Sequence, residues 1–177
     1  REIEDDTFET ALEAFGDKLL HLSVLVETKL AGDAEGGDRF GTRLEPFESI
    51  RIAEEQVAQV REAVGPDIQI CLDVHTRLDP AMVISMCKAL EPYRPFFIED
   101  PIRSENPGSY RKLSRHISLP IAAGEQWASK WPFREVIEEE LISYARIDLC
   151  IVGGLTEALK IAHWCETHYI DIVPHNP

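Results

Sequence analysis

The sequence predicts an α/β fold built from repeated βα units, and three observations predict it. Short runs of nearly continuous apolar character recur, as expected of strands buried on both faces. Segments with apolar residues at helical spacing lie between them. The two patterns alternate roughly every 25 residues, the rhythm of strand–helix–strand crossovers. Two architectures satisfy this alternation: an open doubly wound sheet and a (β/α)8 barrel.

Taken in order, "DDTFETALEAFGDKLLH" reads as an opening helix with an Asp/Thr start. "LSVLVETK" (Leu22 to Lys29) reads as the first strand. The glycine-rich stretch from Gly32 to Thr42 is expected to be a mobile loop after that strand, of the kind that lies over barrel active sites. It lacks phosphate-binding spacing, and neither G-x-G-x-x-G nor G-x-x-x-x-G-K-[ST] occurs, which weakens a nucleotide-binding reading. "EPFESIRIAEEQVAQVREAVG" places Ile50, Ala53, Val57, Val60 and Val64 on one helical face, and Gly65-Pro66 stops it. "IQICLD" (Ile68 to Asp73) is a strand, followed by a helix with Asp79 at its N-cap and Pro80 at its first position. "PFFIED" and "LPIAAGE" are the next two strands. "WPFREVIEEEL" is a shorter helix with an early proline. "YARIDLC" and "YIDIVPH" are the last strands, and "TEALKIAHWCETH" between them is a helix with Thr156 as its expected N-cap.

The chain has 177 residues, enough for one domain with a sizeable core, and its 44% hydrophobic and 28% charged residues are ordinary for a globular protein. A net charge of -14 argues against nucleic-acid or anionic-membrane partners, which reward Lys and Arg. Cys71, Cys87, Cys150 and Cys165 form no C-x-x-C pair and sit in apolar surroundings, so buried thiols are expected rather than a disulfide framework. With no bilayer-spanning apolar run and an acidic "REIEDD" start, a cytoplasmic protein is expected.

The strand endings carry the chemistry. Asp73, Glu99 and Glu125 end successive strands at intervals of 26 residues, and Asp148 and His175 follow at intervals of 23 and 27. In a parallel sheet these ends lie side by side, about 5 Å apart per strand. One carboxylate at a strand end is ordinarily a solvated loop residue. Three in register repel one another unless a cation sits between them. An all-oxygen donor set suits Mg2+ or Mn2+ better than zinc or copper. Asp100 is as acidic as Glu99 but points to the other side of a strand, so it reads as structural. His75 shares the face of Asp73, and His175 lies beside Asp148, the pairing that makes an imidazole a general base. His21, His116, His163 and His168 read as capping or surface residues.

Five stretches carry a resemblance: "LDVHTRL", "FIEDP", "AAGEQWASKWPF", "RIDLCIVGGLTEALKIA" and "VPHNP". In this order and spacing they resemble the barrel domain of the enolase superfamily, in its mandelate racemase-like branch, and within it the acid-sugar dehydratases of the galactonate dehydratase type. The resemblance runs from about Leu22 to Pro177. It implies a TIM-type (β/α)8 barrel, present over residues 1–177 as an incomplete catalytic barrel without its last strand and without the N-terminal α+β capping domain. It implies Asp73, Glu99 and Glu125 as Mg2+ ligands, His175 oriented by Asp148 as the base that takes the proton alpha to a carboxylate, and His75 as the acid that protonates the departing hydroxyl. The implied reaction is dehydration of an aldonic acid, through an enediolate, to a 2-keto-3-deoxy acid by a hydro-lyase.

Lys29 stands where many members of the branch carry K-x-K, but the sequence continues Leu30-Ala31. The lost second lysine disfavours a two-base racemase and leaves Lys29 a role in carboxylate binding, against the plainer reading of a strand-end lysine reaching solvent. Gln126 replaces an arginine common in similar dehydratases. The alternatives are a racemase or epimerase of the same superfamily and an inactive barrel fragment. The expected partner is a small sugar acid, and a homo-oligomer is expected.

Overall fold

The computed structural model describes residues 23–27 and 46–175. The expected opening helix, Lys29 and the glycine-rich loop lie outside the described residues. The elements alternate as β1 (Ser23–Glu27), α1 (Pro46–Val64), β2 (Gln69–Asp73), α2 (Pro80–Leu90), β3 (Phe97–Glu99), α3 (Tyr110–Ser114), β4 (Ile121–Ala123), α4 (Lys130–Glu138), β5 (Tyr144–Ala145), α5 (Leu155–Glu166) and β6 (Asp171–Ile172). No helix among the described residues is long and apolar enough to cross a membrane.

All six strands are parallel and lie in the order β1-β2-β3-β4-β5-β6. This order decides between the two architectures left open by the alternation. A doubly wound sheet reverses its strand order at a switch point, which sends helices to both faces. A strictly sequential order with crossovers of one hand keeps every helix on one face, as in a barrel. The sheet accordingly has a thick core on one face only. There, Ile70, Leu72, Ile98, Ile121 and Ala145 pack against Val57, Val83, Leu90, Leu113, Phe133 and Ile161 of the helices. On the opposite face a small cluster of Cys71, Phe97 and Ala122 is joined by Phe96, Tyr144 and Val173. Its three rings tilt against one another at 5.1–5.7 Å between centroids.

The period-two alternation of strands then fixes what lies above that inner floor. Two residues beyond Cys71 is Asp73, beyond Phe97 is Glu99, beyond Tyr144 is Arg146, and beyond Val173 is His175. An apolar inner layer is therefore followed by a charged one at the carboxyl ends of the strands.

Local details follow chain chemistry. α1 ends at Gly65, which takes φ +75° and donates its N–H to the Arg61 carbonyl. α2 starts at Pro80 with Asp79 extended before it, as its sequence predicts. α5 starts two residues earlier than expected: Gly154, not Thr156, occupies its N-cap. Cys71, Cys87 and Cys165 are buried, whereas Cys150 is exposed in the turn after Asp148.

Candidate active site

β2 and β3 are in register at their last residues, so Asp73 and Glu99 are direct neighbours on the inner face. The ladder then climbs by backbone bonds: Val74 N–H to the Glu99 carbonyl at 3.0 Å, Thr76 N–H to the Asp100 carbonyl at 2.8 Å and Asp100 N–H to the Ala122 carbonyl at 2.9 Å. Glu125 stands two residues past β4, beyond Gly124 at φ +132°. Past the ends of β5 and β6 the two chains meet once more, in a parallel bridge between Asp148 and His175. The five predicted residues thus rise from adjacent strand ends in sequence order.

The two imidazoles bind the carboxylates into one line. His75 donates its backbone N–H to Asp73 Oδ1 at 2.8 Å, and its Nδ1 lies 3.1 Å from Asp73 Oδ2 and 4.0 Å from Glu125 Oε1. His175 Nε2 lies 3.3 Å from Glu125 Oε2, and its Nδ1 lies 2.9 Å from Asp148 Oδ2. Asp148 is buried, and its other oxygen accepts the N–H groups of Cys150 at 2.7 Å and Ile151 at 2.8 Å. The bond from His175, followed by those from the backbone, holds the Asp148 carboxyl below the usual aspartate range. With Nδ1 turned to Asp148, Nε2 is the ring nitrogen left to exchange a proton with a ligand. His75 differs in setting: its side chain is 57% exposed against 25% for His175, and it and Thr76 both hold left-handed φ, 53° and 61°.

Arg146 is the residue the sequence reading passed over. Its Nε donates to Glu99 Oε1 at 2.5 Å, and its Nη1 donates to the carbonyls of Val173 at 3.1 Å and Pro174 at 3.0 Å. The available signal was alternation, since Tyr144, Arg146 and Asp148 fall on one face. Gln126 is exposed and accepts the Ser104 hydroxyl at 2.8 Å, while the neighbouring Trp127 donates its Nε1–H to the Ser104 carbonyl at 3.0 Å. The loops after β3 and β4 are tied together there.

Five carboxyl groups, those of Asp73, Glu99, Asp100, Glu125 and Asp148, are buried at this end of the sheet. Burial pushes the Glu99 carboxyl up; Arg146 opposes the rise, and the charges of Asp73 and Glu125 add to it. Burial, then Glu125 and Glu99, push Asp100 well above the ordinary range. Its Oδ1 accepts the Gly124 N–H at 3.4 Å, and its Oδ2 has no partner among the described residues. Among the described residues no group of three or more His, Cys, Asp or Glu side chains is drawn close enough to hold a metal ion as it stands. The donor set nonetheless fits a hard divalent cation. Among the described residues the buried carboxylates outnumber their cationic partner Arg146, their charges add to the upward push on Glu99 and Asp100, and every one offers oxygen.

His21 lies outside the described residues, and the other described histidines keep away from this line. His116 bonds the Lys112 carbonyl, His168 approaches Glu140 at 3.5 Å, and His163 is exposed on α5.

Residues 26–177 match the family described as Enolase C-terminal domain-like. Over 129 residues the chain is 40% identical to a D-galactonate dehydratase of Ralstonia pickettii (strain 12J), a match covering 73% of this chain and 34% of that protein. The chain thus spans about a third of the length of this curated relative. Among solved structures, an enolase from Pantoea ananatis with bound D-gluconate and Mg superposes with a TM-score of 0.71 at 33% identity, over 75% of this chain and 32% of that one. A member of the enolase superfamily from Salmonella Typhimurium superposes with a TM-score of 0.77 at 26% identity, over 88% of this chain and 40% of that one.

Proposed function

The chain belongs to the Enolase C-terminal domain-like family, and from that premise we propose that residues 1–177 are part of the catalytic barrel of a Mg2+-dependent sugar-acid dehydratase. One observation carries the reading: the line Asp73–His75–Glu125–His175–Asp148, in which two imidazoles flank a carboxylate from opposite ends. The relative named a D-galactonate dehydratase and the gluconate- and Mg-bound structure support the substrate class.

Asp73, Glu99 and Glu125 would hold the metal. Mg2+ bound there supplies a Lewis acid for the substrate carboxylate and offsets the charge that develops when the alpha proton leaves. His175 takes that proton on Nε2, while Asp148, fixed by two backbone N–H groups, keeps the ring oriented and stabilises the imidazolium. The electron pair released moves into the C1–C2 bond as an enediolate. His75, on the other side of Glu125 and open to solvent, delivers a proton to the departing 3-hydroxyl, which leaves as water. The enol then ketonises to a 2-keto-3-deoxy acid.

The reading is tested by incubating the full-length protein with Mg2+ and a library of aldonic and aldaric acids, scoring 2-keto-3-deoxy product. Product from an aldonic acid is the expected result. Inversion of a stereocentre without loss of water, or no reaction with any member, overturns it.

A further inference from the structure

Arg146 follows β5 directly, and its backbone N–H bonds the Ala123 carbonyl of β4 at 2.9 Å. Its side chain is only 13% exposed, and its guanidinium reaches in two directions. Toward β3 it meets Glu99 Oε1. Toward β6 it meets the carbonyls of Val173 and Pro174, the two residues leading into His175. That segment is held to β5 by Val173 N–H on the Ala145 carbonyl and His175 N–H on the Ile147 carbonyl, both at 3.1 Å, while Pro174 between them has no N–H to offer.

Resting on the function proposed above, we infer that Arg146 is a positioning residue that couples the carboxylate site to the base: one guanidinium fixes Glu99 and the Val173–Pro174 carbonyls that set the place of His175. The chemistry requires arginine. A guanidinium carries donors on separate nitrogens in a rigid fork, stays charged when buried and can satisfy a carboxylate and two carbonyls at once. A lysine places the same charge on one flexible point, enough for Glu99 and not for both partners.

The test compares wild type, Arg146→Lys and Arg146→Met in the full-length protein, with folding checked by circular dichroism. Mg2+ affinity is read by calorimetry without substrate, amide exchange of the peptide over residues 169–175 by mass spectrometry, and alpha-proton exchange by incorporation of solvent deuterium into the sugar acid. Arg146→Met is expected to weaken Mg2+ binding about tenfold or more and to speed amide exchange before His175. Arg146→Lys is expected to recover most of the Mg2+ affinity yet leave amide exchange fast and alpha-proton exchange slow. A lysine variant that recovers amide protection as well as affinity overturns the coupling, as does either variant matching wild type in both. If the methionine variant does not fold, the lysine variant decides. If wild type binds no Mg2+ or exchanges no alpha proton, the proposed function fails, and amide protection still decides the role of Arg146.

Discussion

At the residue scale, two histidines of the same chemistry sit in different settings. The His175 ring is three-quarters buried and anchored through Nδ1, whereas the His75 ring is half exposed on a strained left-handed turn. In the full-length protein, His175→Asn is expected to abolish alpha-proton exchange with solvent deuterium while Mg2+ still binds by calorimetry. His75→Asn is expected to block formation of the 2-keto-3-deoxy product and leave that exchange largely intact. Exchange at the wild-type rate in the first variant would remove His175 as the base. Asp148 adds a pH signature. Its carboxyl gives up its proton more readily folded than unfolded, so the pair stabilises the fold above the ordinary aspartate pKa of about 4. That contribution is lost as the pH falls through the lower folded value. Urea melts at pH 7 and pH 3 should therefore show a smaller acid loss in Asp148→Asn than in wild type, and equal losses would refute the coupling. The acids and histidines were legible because strand alternation and a regular repeat mark them. Arg146 was not, because a strand-end arginine looks like a solvent-facing one until the strand on its far side is in place.

At the element scale, Gly124 couples packing to the site. A Cβ there would lie 2.6 Å from two ring carbons of Phe133 on α4 and 3.1 Å from the Arg146 carbonyl, and its φ of +132° disfavours any side chain. Gly124→Ala is expected to cost about 2–4 kcal/mol from strain and overpacking, read by denaturant melts, and to weaken Mg2+ binding because Glu125 follows directly. A variant as stable as wild type would show that the loop relaxes freely. Arg61 plays a structural part elsewhere, donating to the carbonyls of Gly65, Ile68, Tyr93 and Arg94 and so closing α1 onto β2 and the turn after α2. Arg61→Met strands part-buried acceptors, and a loss of about 2 kcal/mol is expected in urea melts. The sequence placed α1, α2, α4 and α5 because each repeats its apolar residues over two turns or more. It gave no signal for α3, whose five residues bury only Tyr110 and Leu113. Tertiary packing on Trp127 stabilises that short turn, with the Tyr110 and Trp127 rings edge to face at 6.0 Å.

At the scale of the whole molecule, an acidic chain concentrates buried carboxylates at one end of its sheet. Glu99 and Asp100 hold their protons more tightly folded than unfolded, so their ionisation costs stability as the pH rises through the ordinary carboxylate range. The divalent cation proposed above would offset that cost at Glu99. Mg2+ at a hundredfold over its neutral-pH Kd should raise the Tm by about 5–10 °C near neutral pH, and the same concentration should raise it by less at pH 5, because burial pushes the Glu99 carboxyl up and favours its protonated form. Equal increments at both pH values in a thermal melt would place the cation somewhere other than among these acids.

The sequence by itself determined the alternation of elements, the identity of the charged strand ends and the family, because these depend on local periodicity and on spacing along the chain. Only the tertiary structure decided that the strands run in unbroken order, that Asp148 and His175 bridge, and that Arg146 joins Glu99 to the segment before His175. Strand order and cross-strand partners are contacts between residues distant in sequence. They are chosen by how whole faces pack, which no short stretch of residues specifies.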